Sequence, residues 1–112
     1  METTRQKKVS NVILQELGNY FQRNASVYAK GGMITVTTVR ISPDLGVAKV
    51  YLSIFAVADK EAVVQTIRDR AWEVRKFLAK ERGELRVVPE LSFFLDDSLD
   101  QIERIDELLK GG

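Results

Sequence analysis

Two segments rich in β-branched residues, joined by a short turn, constrain the fold of this chain more than any other feature. They are MITVTTVRI (33–41) and VAKVYLSIFAV (47–57), and their composition predicts two β-strands. The intervening SPDLG has proline and aspartate early and glycine last, which is typical of a turn. The apolar alternation of the first strand changes phase at Thr37–Thr38, so we expect a β-bulge there. Apolar groups on both faces of the second strand predict a central place in the sheet.

Apolar residues recur at helical spacing both before and after this hairpin. A stripe from Val9 to Phe21 predicts a first helix that ends near Asn24, with NASVYAKGG as the following loop. A second stripe predicts one continuous helix from an N-cap at Asp59 to about Arg82, where a glycine follows.

A third strand and a last helix complete the predicted order. LRVVPELSFFLD (85–96) predicts a strand that starts at an edge, because Pro89 has no N–H to donate. Ser98 and Gln101 form a capping-box pattern for a short final helix. The order is α-β-β-α-β-α, and a right-handed crossover places the third strand parallel beside the second. We therefore expect an α+β fold with two layers and a three-stranded mixed sheet, forming a single domain over residues 1–112.

Composition excludes several classes of function. The chain has no cysteine and no histidine, which removes disulfides, thiolate and imidazole metal sites and the commonest general base. We therefore expect no enzyme, no metal and no cofactor. No apolar segment approaches the length of a membrane span or a secretory signal, so the expected location is cytoplasmic. Residues 1–58 carry seven basic and three acidic groups, whereas residues 87–112 carry two and seven, and such a basic region can bind a polyanion.

The hairpin ISPDLGVAKVYLS and the later segment VPELSFFLDDSLDQIERIDELL resemble, in their order and spacing, the bacterial ribosome-binding factor A family. That family carries Arg-x-x-Pro-x-Leu-x-Phe before an aspartate and a serine. The matching residues here are Arg86, Pro89, Leu91, Phe93, Asp96 or Asp97, and Ser98. The resemblance extends from about residue 5 to residue 109. It implies a type II KH-like fold and a non-catalytic factor that binds the free small ribosomal subunit. It also implies a role in late maturation of the 16S rRNA, including its 5′ end, and in growth in the cold.

The chain departs from this family at two motifs: the family's Asp-Pro in the first loop is missing, and so is a glycine of the second helix. Family members carry Ala-x-Gly where the second helix is kinked, in place of the Gly-x-x-Gly loop of ordinary KH domains. The matching positions here are Ala71, Trp72 and Glu73. The sequence leaves two alternatives, a helix that bends without glycine or a straight helix that follows local propensity.

Candidate RNA-binding residues lie in two basic regions. On one continuous helix, Arg68, Arg75 and Arg82 would fall within about 40° of one line, with Trp72 beside them and Lys76 further round. Such a stripe can contact phosphates while the indole stacks on an unpaired base. Flexible phosphate contacts are expected from the N-terminal residues Arg5, Lys7 and Lys8.

Other interpretations of these residues remain open. The arginine stems could instead cover the edge of the core, and Trp72, taken alone, is better interpreted as a packing residue. The expected partners are the small subunit and its rRNA, with ribosomal proteins as a further possibility, and the expected state is a monomer. The alternative function is a protein-interaction module that docks through its sheet face or through the edge of ELSFFL (90–95).

Overall fold

The computed structural model describes residues 3–80 and 88–96. These residues form, in chain order, α1 Thr4–Tyr28, β1 Met33–Ile41, β2 Val47–Phe55, α2 Lys60–Asp69, α3 Ala71–Lys80 and β3 Glu90–Leu95. The predicted final helix, with its Ser98 cap, and the predicted helix end at Arg82 lie outside the described residues. Within the described part of the chain, no helix is both long and apolar enough to cross a bilayer.

The sheet has the predicted topology. Its order is β1-β2-β3, with β2 in the centre, antiparallel to β1 and parallel to β3. The register between β1 and β2 shifts between Val36 and Thr38, which confirms the bulge expected from the change of apolar phase. Buried side chains alternate along β1 and face the helices. The α+β fold with a mixed sheet and two layers is confirmed.

The start of the first helix is set by its N-cap, Thr3, and by the buried Gln6. Thr3 and Gln6 form a capping box, and Nε2 of Gln6 also donates to the carbonyl of Ile41 at 3.1 Å. Asn24 leaves helical geometry (φ −113°, ψ 17°), close to the predicted end, but the helix then resumes through Tyr28. The predicted loop is therefore wrong over this last turn, because only a further helical turn buries Tyr28 against the core.

The second predicted helix is two helices. Asp59 caps α2 as expected, accepting from the Ala62 N–H at 3.1 Å. At Arg70 the backbone leaves helical geometry (φ −114°, ψ 24°), and α3 starts at the next residue. The continuous helix is therefore wrong, and the bent alternative is correct. The break needs no glycine, because the positive-φ residues of the described chain are Leu45, Ala56 and Gly31.

The core lies between the sheet and the three helices. Its largest fully buried side chains include Phe21 of α1 and Phe93 of β3, whose rings meet edge to face at 6.1 Å. Such a pair joins the first helix to the last described strand and contributes beyond its buried area. The buried faces of α2 and α3 complete this core with Val64, Ile67, Val74 and Leu78.

Two glycines provide a matched test of this packing. A Cβ on Gly32 would lie 2.6 Å from Cγ1 of Val57 and 2.8 Å from the carbonyl oxygen of Phe55, whereas a Cβ on Gly18 meets nothing within 4 Å. We expect Gly32→Ala to lower the free energy of unfolding by about 1–3 kcal/mol through overpacking. Gly18→Ala should raise it by up to about 1 kcal/mol, because Gly18 lies inside a helix. Urea denaturation measures both, and equal effects would contradict the packing at Gly32.

Candidate nucleic-acid interface

The exposed face of α3 carries an aromatic ring beside cationic side chains. Trp72 is 65% exposed, and Arg75, Lys76 and Ala79 on the following turns are exposed as well. At 100° per residue these four positions span an arc of about 100°. The interpretation of Trp72 as a packing residue is wrong, because Trp72 lies on the side of α3 away from the buried Val74 and Leu78. We call Trp72, Arg75 and Lys76 the basic α3 face.

Arg68 and Arg75 are held by backbone carbonyls of the third strand and the residues before it. Arg68 donates through Nε and Nη2 to the carbonyl of Phe93, at 3.0 and 2.8 Å. Arg75 donates through Nη2 to the carbonyl of Val88 at 3.0 Å and through Nε to that of Pro89 at 3.3 Å. The break separates the two arginines, so the expected straight line of three is not formed. Arg82 lies outside the described residues.

Among residues 3–80 and 88–96, β3 has no strand partner on the side away from β2, and the bonds to Phe93 and Pro89 lie along this open edge. The Glu90 N–H donates to the Gly46 carbonyl and the Asp96 N–H to the Leu52 carbonyl. The backbone N–H and C=O groups of even-numbered residues in β3 therefore point toward β2. The carbonyl of Phe93, at an odd position, therefore points away from the sheet, where another strand would otherwise pair. Arg68 and Arg75 occupy acceptors along this edge, which is one way in which proteins block edge-to-edge association.

The N-terminal basic residues are ordered. Arg5, Lys7 and Lys8 are exposed on the first two turns of α1, within a capped helix, so the expectation of flexible contacts is wrong. The bond from Gln6 to Ile41 places them beside the hairpin turn. Arg75 reaches the start of β3, which pairs with the other arm of that turn. Both basic clusters therefore lie toward the same end of the sheet.

The break itself is held by a side-chain network that includes Glu73. Arg70 and Glu73 form a bidentate ion pair, with Nη2 at 3.0 Å from Oε2 and Nε bound to Oε1. The guanidinium of Arg70 lies over the ring of Tyr28, 5.3 Å from its centroid. Hydrogen bonding to Glu73 raises the pKa of Arg70. Neither Arg70 nor Tyr28 was predicted from the sequence as part of the site, although Arg70 and Glu73 carry opposite charges at i and i+3.

Tyr28 connects this network to an aromatic cluster. Its hydroxyl lies 2.6 Å from that of Tyr20, whose ring packs 4.8 Å from that of Phe77. Burial of the Tyr28 hydroxyl and its hydrogen bond with Tyr20 raise the pKa of Tyr28 well above the ordinary value of 10.0. The neutral phenol is therefore the form on which this part of the fold depends.

Together these features define a small α+β domain whose helices present an exposed tryptophan among cationic side chains. The model of the family described as ribosome-binding factor A matches residues 5–109. The chain belongs to this family, which confirms the resemblance carried by the hairpin and third-strand motifs. Relatives named ribosome-binding factor A include one from Cytophaga hutchinsonii, 41% identical over 97% of this chain and 83% of the relative. Another, from Christiangramia forsetii, is 36% identical over 98% of this chain and 86% of the relative.

Solved structures of similar proteins agree on the fold. The crystal structure of ribosome-binding factor A from Thermus thermophilus matches with a TM-score of 0.67 and 22% identity, covering 80% of this chain and 94% of that one. A homology model of the T. thermophilus factor, fitted into a cryo-EM map of a 30S complex, matches with a TM-score of 0.61 and 21% identity. That match covers 87% of this chain and 97% of the other.

The edge bonds can be tested by removing both arginines. Arg68→Ala with Arg75→Ala should lower the free energy of unfolding by about 1.5–3 kcal/mol per arginine, the range for hydrogen bonds to charged groups. It should also promote self-association through the open β3 edge. Urea denaturation and sedimentation velocity measure the two effects. Lys49→Ala with Lys76→Ala removes the same charge from exposed positions and serves as control. Equal stability and mass for the two double variants would contradict the edge role.

The raised pKa of Tyr28 predicts a loss of stability in alkali. A tyrosine with a higher pKa in the folded than in the unfolded state contributes stability below about pH 10, and this contribution disappears as pH rises above that value. Tyr28→Phe should therefore flatten the fall in the free energy of unfolding between about pH 9.5 and 11. Denaturation curves at several pH values check this, with Tyr51→Phe as control. If the free energy of unfolding of Tyr28→Phe falls with pH as steeply as that of wild type, the raised pKa of Tyr28 is contradicted.

Proposed function

We propose that this protein is a non-catalytic, monomeric, cytoplasmic assembly factor that binds the free small ribosomal subunit. It would assist late maturation of the 16S rRNA, including processing of the 5′ end, and support growth in the cold. Two findings support the proposal: the chain belongs to the ribosome-binding factor A family, and a T. thermophilus member was fitted into a map of a 30S complex. Neither a cofactor nor a membrane enters the proposal.

One observation carries the proposal, the exposed Trp72 beside Lys76 and Arg75 on α3. Ribosomal RNA offers phosphates to the cations and, in single-stranded segments, unpaired bases to the indole. The carbonyl bonds of Arg68 and Arg75 use two N–H groups of each guanidinium, which has five. Each arginine therefore keeps donors for phosphate while its orientation is already set.

The N-terminal cluster of Arg5, Lys7 and Lys8 extends the proposed surface. Because α1 is capped and anchored at Gln6, these cations are presented on a rigid helix, which lowers the entropy lost on binding. Arg82 is retained in the proposal as a further phosphate contact on the basis of its sequence alone. Binding through such contacts should orient the factor with little readout of base identity.

The alternative, a protein-interaction module, has one favourable observation. Tyr51 and Phe94 stack at 5.4 Å on the sheet face opposite to the described helices. Docking through the β3 edge is disfavoured, because Arg68 already occupies the Phe93 carbonyl. Gradient sedimentation of extract with and without ribonuclease discriminates between the two functions. Co-migration with small subunits favours assembly, and a ribonuclease-resistant complex of another size favours protein docking.

A pair of charge reversals tests the proposed surface. Lys76→Glu should weaken binding to free small subunits severalfold and reduce the salt dependence by about one phosphate contact. Lys49→Glu makes the same charge change on the outer face of the sheet and should have little effect. Trp72 is the only tryptophan, so quenching of its fluorescence reports binding directly. Equal loss of affinity in both variants would show that the α3 face is not the interface.

A further inference from the structure

The break between α2 and α3 has none of the usual local causes. Sharp bends in helices arise at proline, at glycine and serine, at π-bulges or at inserted side chains, yet the sequence here is RDRAWEV (68–74). The residue that leaves helical geometry is Arg70, with an ordinary negative φ. Since arginine and alanine favour helices, tertiary contacts must hold the break.

The contacts at the break form a clip of three side chains, Arg70, Glu73 and Tyr28. Glu73 orients the guanidinium of Arg70 by two bonds, and the guanidinium then lies on the ring of Tyr28 from α1. Tyr28 is 6% exposed, so the platform under the cation is part of the core. The side chains of Arg70 and Glu73 are 40% and 25% exposed. This pair is therefore better shielded and better oriented than a typical surface ion pair, whose contribution is small.

Trp72 lies between Arg70 and Glu73 in sequence, on the first turn of α3, and it remains 65% exposed. Helical dihedrals at Arg70 would change the direction of α3 and carry Phe77 away from Tyr20 and Arg75 away from Pro89. The direction in which the indole points is thus coupled to the clip.

We propose that Glu73 is a positioning residue for RNA binding, which acts by holding Arg70 on Tyr28 and so presenting Trp72 to an unpaired base. The ligand class is a single-stranded segment of RNA with a base free to stack. This inference rests on the proposed function and names the residue that gives Trp72 its orientation. Glu73 itself does not contact RNA, because its carboxylate is engaged by Arg70 and would repel phosphate.

Simple electrostatics and the clip predict opposite effects of Glu73→Gln on RNA affinity. Glu73→Gln removes a negative charge next to the basic α3 face, so simple charge arithmetic predicts tighter binding to a polyanion. The clip predicts the opposite, a loss of affinity of about three- to tenfold. Glu90→Gln, at an exposed position on β3, is the matched control and should leave affinity unchanged or slightly tighter. The assay titrates free small subunits, and separately a short single-stranded RNA, against each variant.

A double-mutant cycle shows whether Glu73 acts through Trp72. In a Trp72→Ala background, Glu73→Gln should cause a clearly smaller loss of affinity than in wild type, because the ring that the clip orients is absent. Because the Trp72→Ala background has no tryptophan fluorescence, affinity in that background is measured by co-sedimentation. Arg70→Lys, which keeps the charge and loses the bidentate geometry, should weaken binding in the same direction as Glu73→Gln. Tighter or unchanged binding by Glu73→Gln, or independent additive losses in the cycle, would overturn the proposal.

The same variants separate the clip from the proposed function. Time-resolved anisotropy of Trp72 in the free protein should show faster local motion in Glu73→Gln than in wild type or Glu90→Gln. If wild type binds neither RNA probe, the proposed function fails, and with it the RNA role of Glu73. Unchanged anisotropy in Glu73→Gln would overturn the clip even if wild type binds RNA.

Discussion

The bonds from Arg68 and Arg75 to the open edge of β3 hold the helical layer and the sheet in one arrangement. One arginine comes from α2 and the other from α3, and both end on carbonyls of the same chain segment, residues 88–93. A sheet edge leaves such carbonyls without a strand partner, and unpaired backbone groups are costly where water is excluded. The two helices therefore satisfy the edge and are themselves fixed by it. The basic α3 face owes its position to this mutual arrangement.

Much of the fold follows from local patterns that can be recognised in the sequence. The β-branched runs, their phase change and the Asp59 cap depend on neighbouring residues, so the strands, the bulge and the start of α2 were predictable. The two errors, at Tyr28 and at Arg70, have a common origin. The last turn of α1 exists because it buries Tyr28, and the break holds because Arg70 lies on that same ring. The break thus depends on a residue 42 positions away along the chain, and the last turn of α1 depends on tertiary burial, neither of which periodicity within one segment reports.

Prediction of the candidate site from sequence is limited in the same way, because local patterns do not report tertiary contacts. Residue types predicted the exposed cations Arg75 and Lys76 correctly, because charged side chains on a helix face are solvated unless paired. The environment of Trp72 was predicted wrongly, since the expectation rested on the general tendency of aromatic residues on helices to pack, although one unbroken helix would also place Trp72 away from the buried stripe of Ile67, Val74 and Leu78. The hydrogen-bond partners of Arg68 and Arg75 were also not predictable from the sequence. Nearby carboxylates were the visible candidates, yet Asp69 accepts from Gln65 and Glu73 from Arg70. Backbone carbonyls are acceptors at every residue, so sequence cannot single them out.

Glycine and the clip are two physical solutions for one bend. A glycine permits a bend by lowering its conformational cost, and it leaves the bent and straight forms close in energy. The pair of Arg70 and Glu73 on Tyr28 instead stabilises one geometry through contacts made only in the bent form. A surface stabilised in this way loses less conformational freedom when it binds a partner. It also makes the orientation of Trp72 conditional on the packing of α1, so that the RNA-binding surface we propose exists only on the completed fold.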